Sequence, residues 1–150
     1  MAENKILVID DEPSIVDIVK EALESEGFQV IGANSGAEGL ERLHKEDPDL
    51  VVLDVLMPGI DGWEVLRRIE ADPATAGVPV IMLTALGGDE DILRGLEEGA
   101  VEYITKPFHL QDLIACVRIQ LQVFDPLLRK QRRQALIDKR RRFLTRWPTS

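Results

Sequence analysis

The sequence predicts an α/β fold in which one parallel sheet is covered on both faces by helices. Three observations predict it. Short apolar runs rich in Val and Ile alternate with segments of helical period, the runs are as apolar as strands buried on both faces must be, and turn residues mark the joints between them.

The elements follow in order. Lys5 to Ile9 (KILVI) is the first strand. Pro13 opens the first helix, whose stripe is Ile15, Ile18, Val19, Ala22 and Leu23, and Gly27 closes it. Phe28 to Ile31 is the second strand, and Ser35 precedes a helix carrying Ala37, Leu40 and Leu43. Leu50 to Leu53 (LVVL) is followed by the stripe Val65, Leu66 and Ile69. Val80 to Leu83 (VIML) is followed by Ile92, Leu93 and Leu96, with Gly99 after them. Val101 to Ile104 precedes the fifth helix, with Leu110, Leu113, Ile114, Val117 and Leu121 on one side. Such alternation calls for right-handed crossovers between parallel strands.

The 150 residues and 45% apolar content suit one compact core and are too few for two ordinary domains. No apolar run approaches the roughly 20 residues of a membrane span, and the start MAENK is not a signal peptide. Cys116 is the one cysteine; it excludes an internal disulfide or a cysteine metal cluster and points to a reducing cytoplasm. His44 and His109 read as solvated surface residues.

The net charge of −9 hides an asymmetry: residues 1–125 carry 9 basic against 26 acidic side chains, residues 126–150 carry 9 against 1. Two parts of opposite sign attract one another or seek different partners. Asp125-Pro126 marks the division, an N-cap followed by a first helical residue. The expected organisation is therefore a globular domain over 1–124 and a basic amphipathic helical tail over 125–150, with Leu128, Leu136, Phe143 or Leu144, and Trp147 as its stripe and Pro148 as its end.

Asp10, Asp11, Asp54, Thr84 and Lys106 come from four stretches, each at or just beyond the carboxyl end of a run, where open α/β sheets present their sites. Carboxylates crowded there repel by about 4 kcal/mol per pair at ~4 Å and an effective dielectric near 20. Hard oxygen ligands without His or Cys favour Mg²⁺, which shares its shell with phosphate oxygens. Under such a cation one carboxylate can act as a nucleophile toward a phosphoryl donor. Asp54 is the best placed, since it ends the most apolar strand and meets the turn Met57-Pro58-Gly59. Thr84, one strand away, can donate its hydroxyl to a phosphoryl oxygen, and Lys106, two strands away at roughly 10 Å, is a cation long enough to reach across.

These residues, in this order, resemble the receiver domain of two-component response regulators. The matching text is Val8-Ile9-Asp10-Asp11-Glu12-Pro13, Leu53 through Gly62 (LDVLMPGIDG), Leu83-Thr84-Ala85 and Tyr103-Ile104-Thr105-Lys106-Pro107-Phe108, and the likeness covers about residues 4 to 123. The resemblance implies a flavodoxin-like strand order 2-1-3-4-5, phosphorylation of Asp54 by a sensor histidine kinase or phosphotransfer protein, and Mg²⁺ held by Asp11, Asp54 and the backbone carbonyl of Leu56, with Asp10 assisting through water. It implies Thr84 and Lys106 as phosphoryl-stabilising groups, Thr84 and Tyr103 as switch residues, a cis Lys106-Pro107 bond, and a signal passed to a partner protein through the fourth helix, fifth strand and fifth helix. The resemblance also implies a domain that promotes its own phosphorylation and dephosphorylation and is otherwise not an enzyme. Leu56 and Leu86 are apolar where many receivers place a polar residue, which leads us to expect slow hydrolysis of phospho-Asp54. Of the charged pairs that build dimers in many DNA-binding members, Glu102 and Arg118 are present and Cys116 stands where a second arginine often lies; a homodimer stays open.

The tail, with Arg129, Lys130, Arg132, Arg133 and Lys139 to Arg142, is too short for a DNA-binding domain with its own core, so partner docking or self-docking ranks above DNA binding, unless the chain is the N-terminal part of a longer regulator. Three further readings compete: a phosphorelay or scaffold receiver, a flavodoxin-like FMN carrier, and a phosphatase with an aspartyl nucleophile. Asp10-Asp11-Glu12 would repel an FMN phosphate, and the phosphatase needs an Asp where Glu12 stands.

Overall fold

A computed structural model of the protein describes residues 4–123 and 126–146. Five parallel strands, β1 (Lys5–Ile9), β2 (Gln29–Ala33), β3 (Leu50–Leu53), β4 (Val80–Thr84) and β5 (Glu102–Thr105), form one sheet in the order β2-β1-β3-β4-β5. The helices are α1 (Pro13–Ser25), α2 (Gly36–Glu46), α3 (Gly62–Ala71), α4 (Asp89–Glu98), α5 (Leu110–Gln122) and α6 (Pro126–Arg146). The architecture is the doubly wound, flavodoxin-like one.

Period-2 geometry sorts the apolar runs into two cores. Ile6, Val8, Leu50, Val52, Ile81 and Leu83 face α1 and α5, meeting Val19, Leu23, Leu113 and Val117. Leu7, Ile9, Val51, Leu53 and Met82 face α2, α3 and α4, meeting Leu43, Val65, Leu66, Ile69 and Leu96. Because both faces are covered, each of these strand side chains is at most 1% exposed, which is why the strands read as continuous apolar runs.

The helix signals act as expected at five places. Pro13 opens α1 and Gly27 (φ 95°) turns the chain after it. Ser35 caps α2, its Oγ accepting from the Glu38 N–H at 3.1 Å, and Gly99 (φ 128°) caps α4. Pro126 is the first residue of α6.

Three strands depart from the predicted bounds, β4 only by running one residue further, through Thr84. β2 starts at Gln29, because the Phe28 N–H is still bonded to the Leu23 carbonyl, and runs on through Gly32 and Ala33, which pair with Val8 and Ile9. Gly32 is not a strand breaker: a Cβ there would lie 2.6 Å from Val16 Cγ1, so its bareness lets α1 lie close on the sheet. β5 starts one residue late, at Glu102, and ends at Thr105 beside Thr84.

The tail lies on α4. Ile137 is buried and Leu136 packs against the same cluster as Ile92 and Leu96, while Phe143 remains 48% exposed and lies off the buried contact. Asp125, Trp147, Pro148 and the side chains of Leu128, Arg129, Lys130, Arg132 and Arg133 lie outside the described residues.

Candidate functional site

The parallel ladder carries the predicted residues to one edge. The Asp10 N–H donates to Ala33 O at 3.1 Å, the Asp54 N–H to Ile9 O at 2.9 Å and the Lys106 N–H to Thr84 O at 2.8 Å, so each residue extends its strand by one step beyond the sheet. Gly62, at the start of α3, sits so near the Asp54 carbonyl that a Cβ would lie 2.2 Å from it, which brings the first turn of α3 against the site.

Asp10, Asp54 and Thr84 are buried, at 2%, 3% and 0% exposure. Lys106 spans the gap between strands as its length allows: Nζ lies 2.7 Å from Asp10 Oδ2, 3.5 Å from Asp54 Oδ2 and 3.7 Å from Glu12 Oε1. The remaining oxygens take backbone donors, with Glu12 N–H on Asp10 Oδ1 at 3.0 Å and Leu56 N–H on Asp54 Oδ1 at 3.3 Å.

One ammonium faces two buried carboxylates, and the balance shows at Asp54 and Lys106. Burial first, and then the charge of Asp10, raise the Asp54 carboxyl above the usual range; Lys106, the Thr84 hydroxyl and the Leu56 N–H pull the other way without cancelling the rise. Burial alone would lower Lys106, but its bond to Asp10 and the charges of Asp54, Asp10 and Glu12 outweigh that and raise it, so the ammonium stays charged.

The acids fit a hard divalent cation. Among the described residues, Asp10, Asp11 and Glu12 each bring a carboxylate oxygen within 4.8 Å of the others. Glu12 belongs to this group although the sequence reading gave it no role as a ligand; its place directly after Asp10-Asp11 was the available signal. Asp54 stands outside that trio and is linked to it by Lys106. Oxygen-only donors of excess negative charge are the set that Mg²⁺ takes.

Beyond Thr84, the Leu86 N–H reaches back to the threonine Oγ1 at 3.4 Å, and the Leu86 carbonyl accepts from the Tyr103 hydroxyl at 2.5 Å. Tyr103 is thus turned inward, with its hydroxyl pushed up to about 12 by burial and by the charges of Asp91 and Asp54. The Lys106-Pro107 bond is cis. Leu56 is half exposed beside Asp54. His44 has partners that the sequence reading missed, the Leu40 carbonyl at 2.9 Å and Asp72 Oδ2 at 3.0 Å. Arg118 is bonded to Glu26, and Glu102 Oε1 accepts from the Tyr103 N–H. No helix among the described residues is long and apolar enough to cross a membrane.

Known proteins share this frame. Residues 6–118 match the model of the response regulator receiver domain. The chain is 42% identical over 121 residues to the DNA-binding dual master transcriptional regulator RpaA of Synechocystis, covering 81% of this chain and 50% of that one. It is 41% identical over 118 residues to the DNA-binding response regulator MtrA of Mycolicibacterium smegmatis, covering 79% and 50%. The chain therefore spans about half the length of the curated relatives it matches. Among solved structures, the receiver domain of Francisella response regulator 1452 superposes with a TM-score of 0.77 at 32% identity, covering 82% of this chain and 100% of that one. A CheY-like receiver domain protein of Methanospirillum hungatei gives 0.76 at 31%, covering 81% and 95%. With the strand order, the acidic edge and the matched family model in agreement, this chain belongs to the response regulator receiver domain family.

Proposed function

We propose that Asp54 is the phosphoacceptor of a two-component pathway, taking its phosphoryl group from the phosphohistidine of a sensor kinase or phosphotransfer protein in the cytoplasm. The observation that carries this reading is a buried carboxylate with its pKa raised by burial and by Asp10, lying 3.5 Å from a partly buried ammonium. Such a group is isolated from water and costly to leave charged. Transfer of a phosphoryl group to it moves the charge outward onto oxygens that Lys106 and the Thr84 hydroxyl can meet.

Asp10, Asp11 and Asp54, with the Leu56 carbonyl, would hold Mg²⁺, and Glu12 joins them at the rim. When bound, the ion supplies charge masking, so that an anionic donor can approach anionic oxygens. Lys106 holds Asp10 and Asp54 in place, and its bridging position suits it to follow the new charge. Thr84 is one strand from Asp54, and its hydroxyl already favours the ionised form. A shift of Thr84 toward phosphate would pull on Leu86, and through the Leu86 carbonyl on Tyr103, which couples the site to α4 and β5. The two switch residues are therefore Thr84 and Tyr103, and the signal leaves through a protein partner at the α4, β5 and α5 face or the basic tail.

Incubation of the full chain with acetyl phosphate and Mg²⁺, read by intact mass spectrometry, is expected to give a single phosphate adduct. Asp54→Asn is expected to abolish it and Lys106→Met to slow its formation. An adduct that persists in Asp54→Asn would refute the assignment.

A further inference from the structure

The outer face of α4 already holds a helix. Ile137 of α6 is buried in the cluster that holds Ile92 and Leu96 of α4, and Leu93 and Leu136 pack against that cluster. The adjacent arginines diverge from there: Arg140 Nη1 lies 3.4 Å from Asp89 Oδ1 at the first residue of α4, and Arg141 Nε lies 3.0 Å from Glu97 Oε1 near its last. Those two acids are eight residues apart, about 12 Å at 1.5 Å per residue. The face is thus aliphatic in the middle and acidic at both ends, and it meets an aliphatic residue followed at i+3 and i+4 by two cations.

The hold is light. Among the described side chains of α6, Ile137 is the one that is buried. Both ion pairs are partly exposed, so salt screens them and each contributes little. Occupancy in such a site comes from the tether, since a short linker supplies an effective concentration on the order of millimolar. A helix that packs better can therefore take the place of α6 without breaking anything in the sheet.

We propose that the outer face of α4 is a docking site for a basic helix that carries an aliphatic anchor, that α6 is its tethered occupant, and that the downstream partner offers a helix of the same chemistry and must displace α6. The inference deepens the receiver reading by naming the partner chemistry. The exchange itself needs no phosphate, so it is tested on unphosphorylated protein, and its failure is distinct from failure of phosphorylation at Asp54.

The experiment is fluorescence anisotropy with a labelled peptide of residues 126–146 and full-length protein. The opened chain, Ile137→Asp with Arg140→Ala and Arg141→Ala, is expected to bind the peptide at about 100 μM, and the wild-type chain at least about tenfold more weakly, because its own helix competes at an effective concentration on the order of millimolar. Adding Asp89→Lys and Glu97→Lys to the opened chain should abolish binding, and a peptide carrying Arg140→Glu and Arg141→Glu should restore it to that chain. Circular dichroism and acetyl phosphate labelling establish that each variant is folded. Equal binding to the wild-type and opened chains, no binding to a folded opened chain, binding that survives the acid reversals, or a failed charge swap would each overturn the proposal.

Discussion

Lys106 cannot neutralise Asp10 and Asp54 together, and the excess charge has measurable consequences at single residues. Asp54→Asn removes a buried charge that the fold tolerates at a cost, and it is expected to raise the melting temperature at pH 7 by about 2–4 °C, the shift that about 1 kcal/mol produces in a chain of this size. The pH dependence has a definite sign. The folded pKa of Asp54 lies above its unfolded value of 3.8, so its favourable contribution is complete below 3.8 and is lost as pH rises through the raised folded value. The advantage of Asp54→Asn over wild type should therefore be smallest near pH 4 and reach its plateau at neutral pH. Lys106→Met is expected to destabilise the wild type more than the Asp54→Asn chain, and a double-mutant cycle by urea denaturation should give a coupling of about 0.5–3 kcal/mol. The side chains of Leu56 and Leu86 offer no polar atom to orient a water at Asp54. The phosphorylated protein is expected to outlive the Leu56→Asn, Leu86→Glu variant when both are followed by loss of the phosphate adduct in Mg²⁺ buffer.

Between elements, close approach decides what can change. Gly32→Ala drives a Cβ into Val16 Cγ1 at 2.6 Å, and overpacking of this kind costs about 1–3 kcal/mol. Urea denaturation should show that loss, with partial recovery in Gly32→Ala combined with Val16→Ala. The same position shows where sequence reading reached its limit. The bounds of β1 and β3 agree with the structure because both are apolar runs that end on Asp10 and Asp54. The end of β2 was hidden because a glycine looks like a breaker when the helix above it is not yet known. The five site residues were visible because strand ends converge by topology. Glu12 joins the acids through a local turn, and His44 meets Asp72 only after α2 and α3 come together, 28 residues apart in the chain. The seat of α6 on α4 depends on Ile137 and on ion pairs 44 and 51 residues apart, none of which leaves a periodic trace in so basic a helix.

Over the whole molecule, the division of charge has become a physical contact, with the basic tail lying on an acidic helix of the receiver. The acidic edge of the sheet is the other expression of that charge. Three carboxylates, Asp10, Glu12 and Asp54, face one ammonium there, with Asp11 beside Asp10 and Glu12, and we expect that imbalance to be relieved by a divalent cation and then by a phosphoryl group. The most direct test is thermal unfolding of the full chain at pH 7 as Mg²⁺ is added. At tenfold above its dissociation constant a ligand of the folded state adds about 1.4 kcal/mol, so the wild type is expected to melt several degrees higher with Mg²⁺, and Asp11→Asn to lose that gain. A wild-type melting temperature unmoved by saturating Mg²⁺, or a gain that survives in Asp11→Asn, would contradict the account.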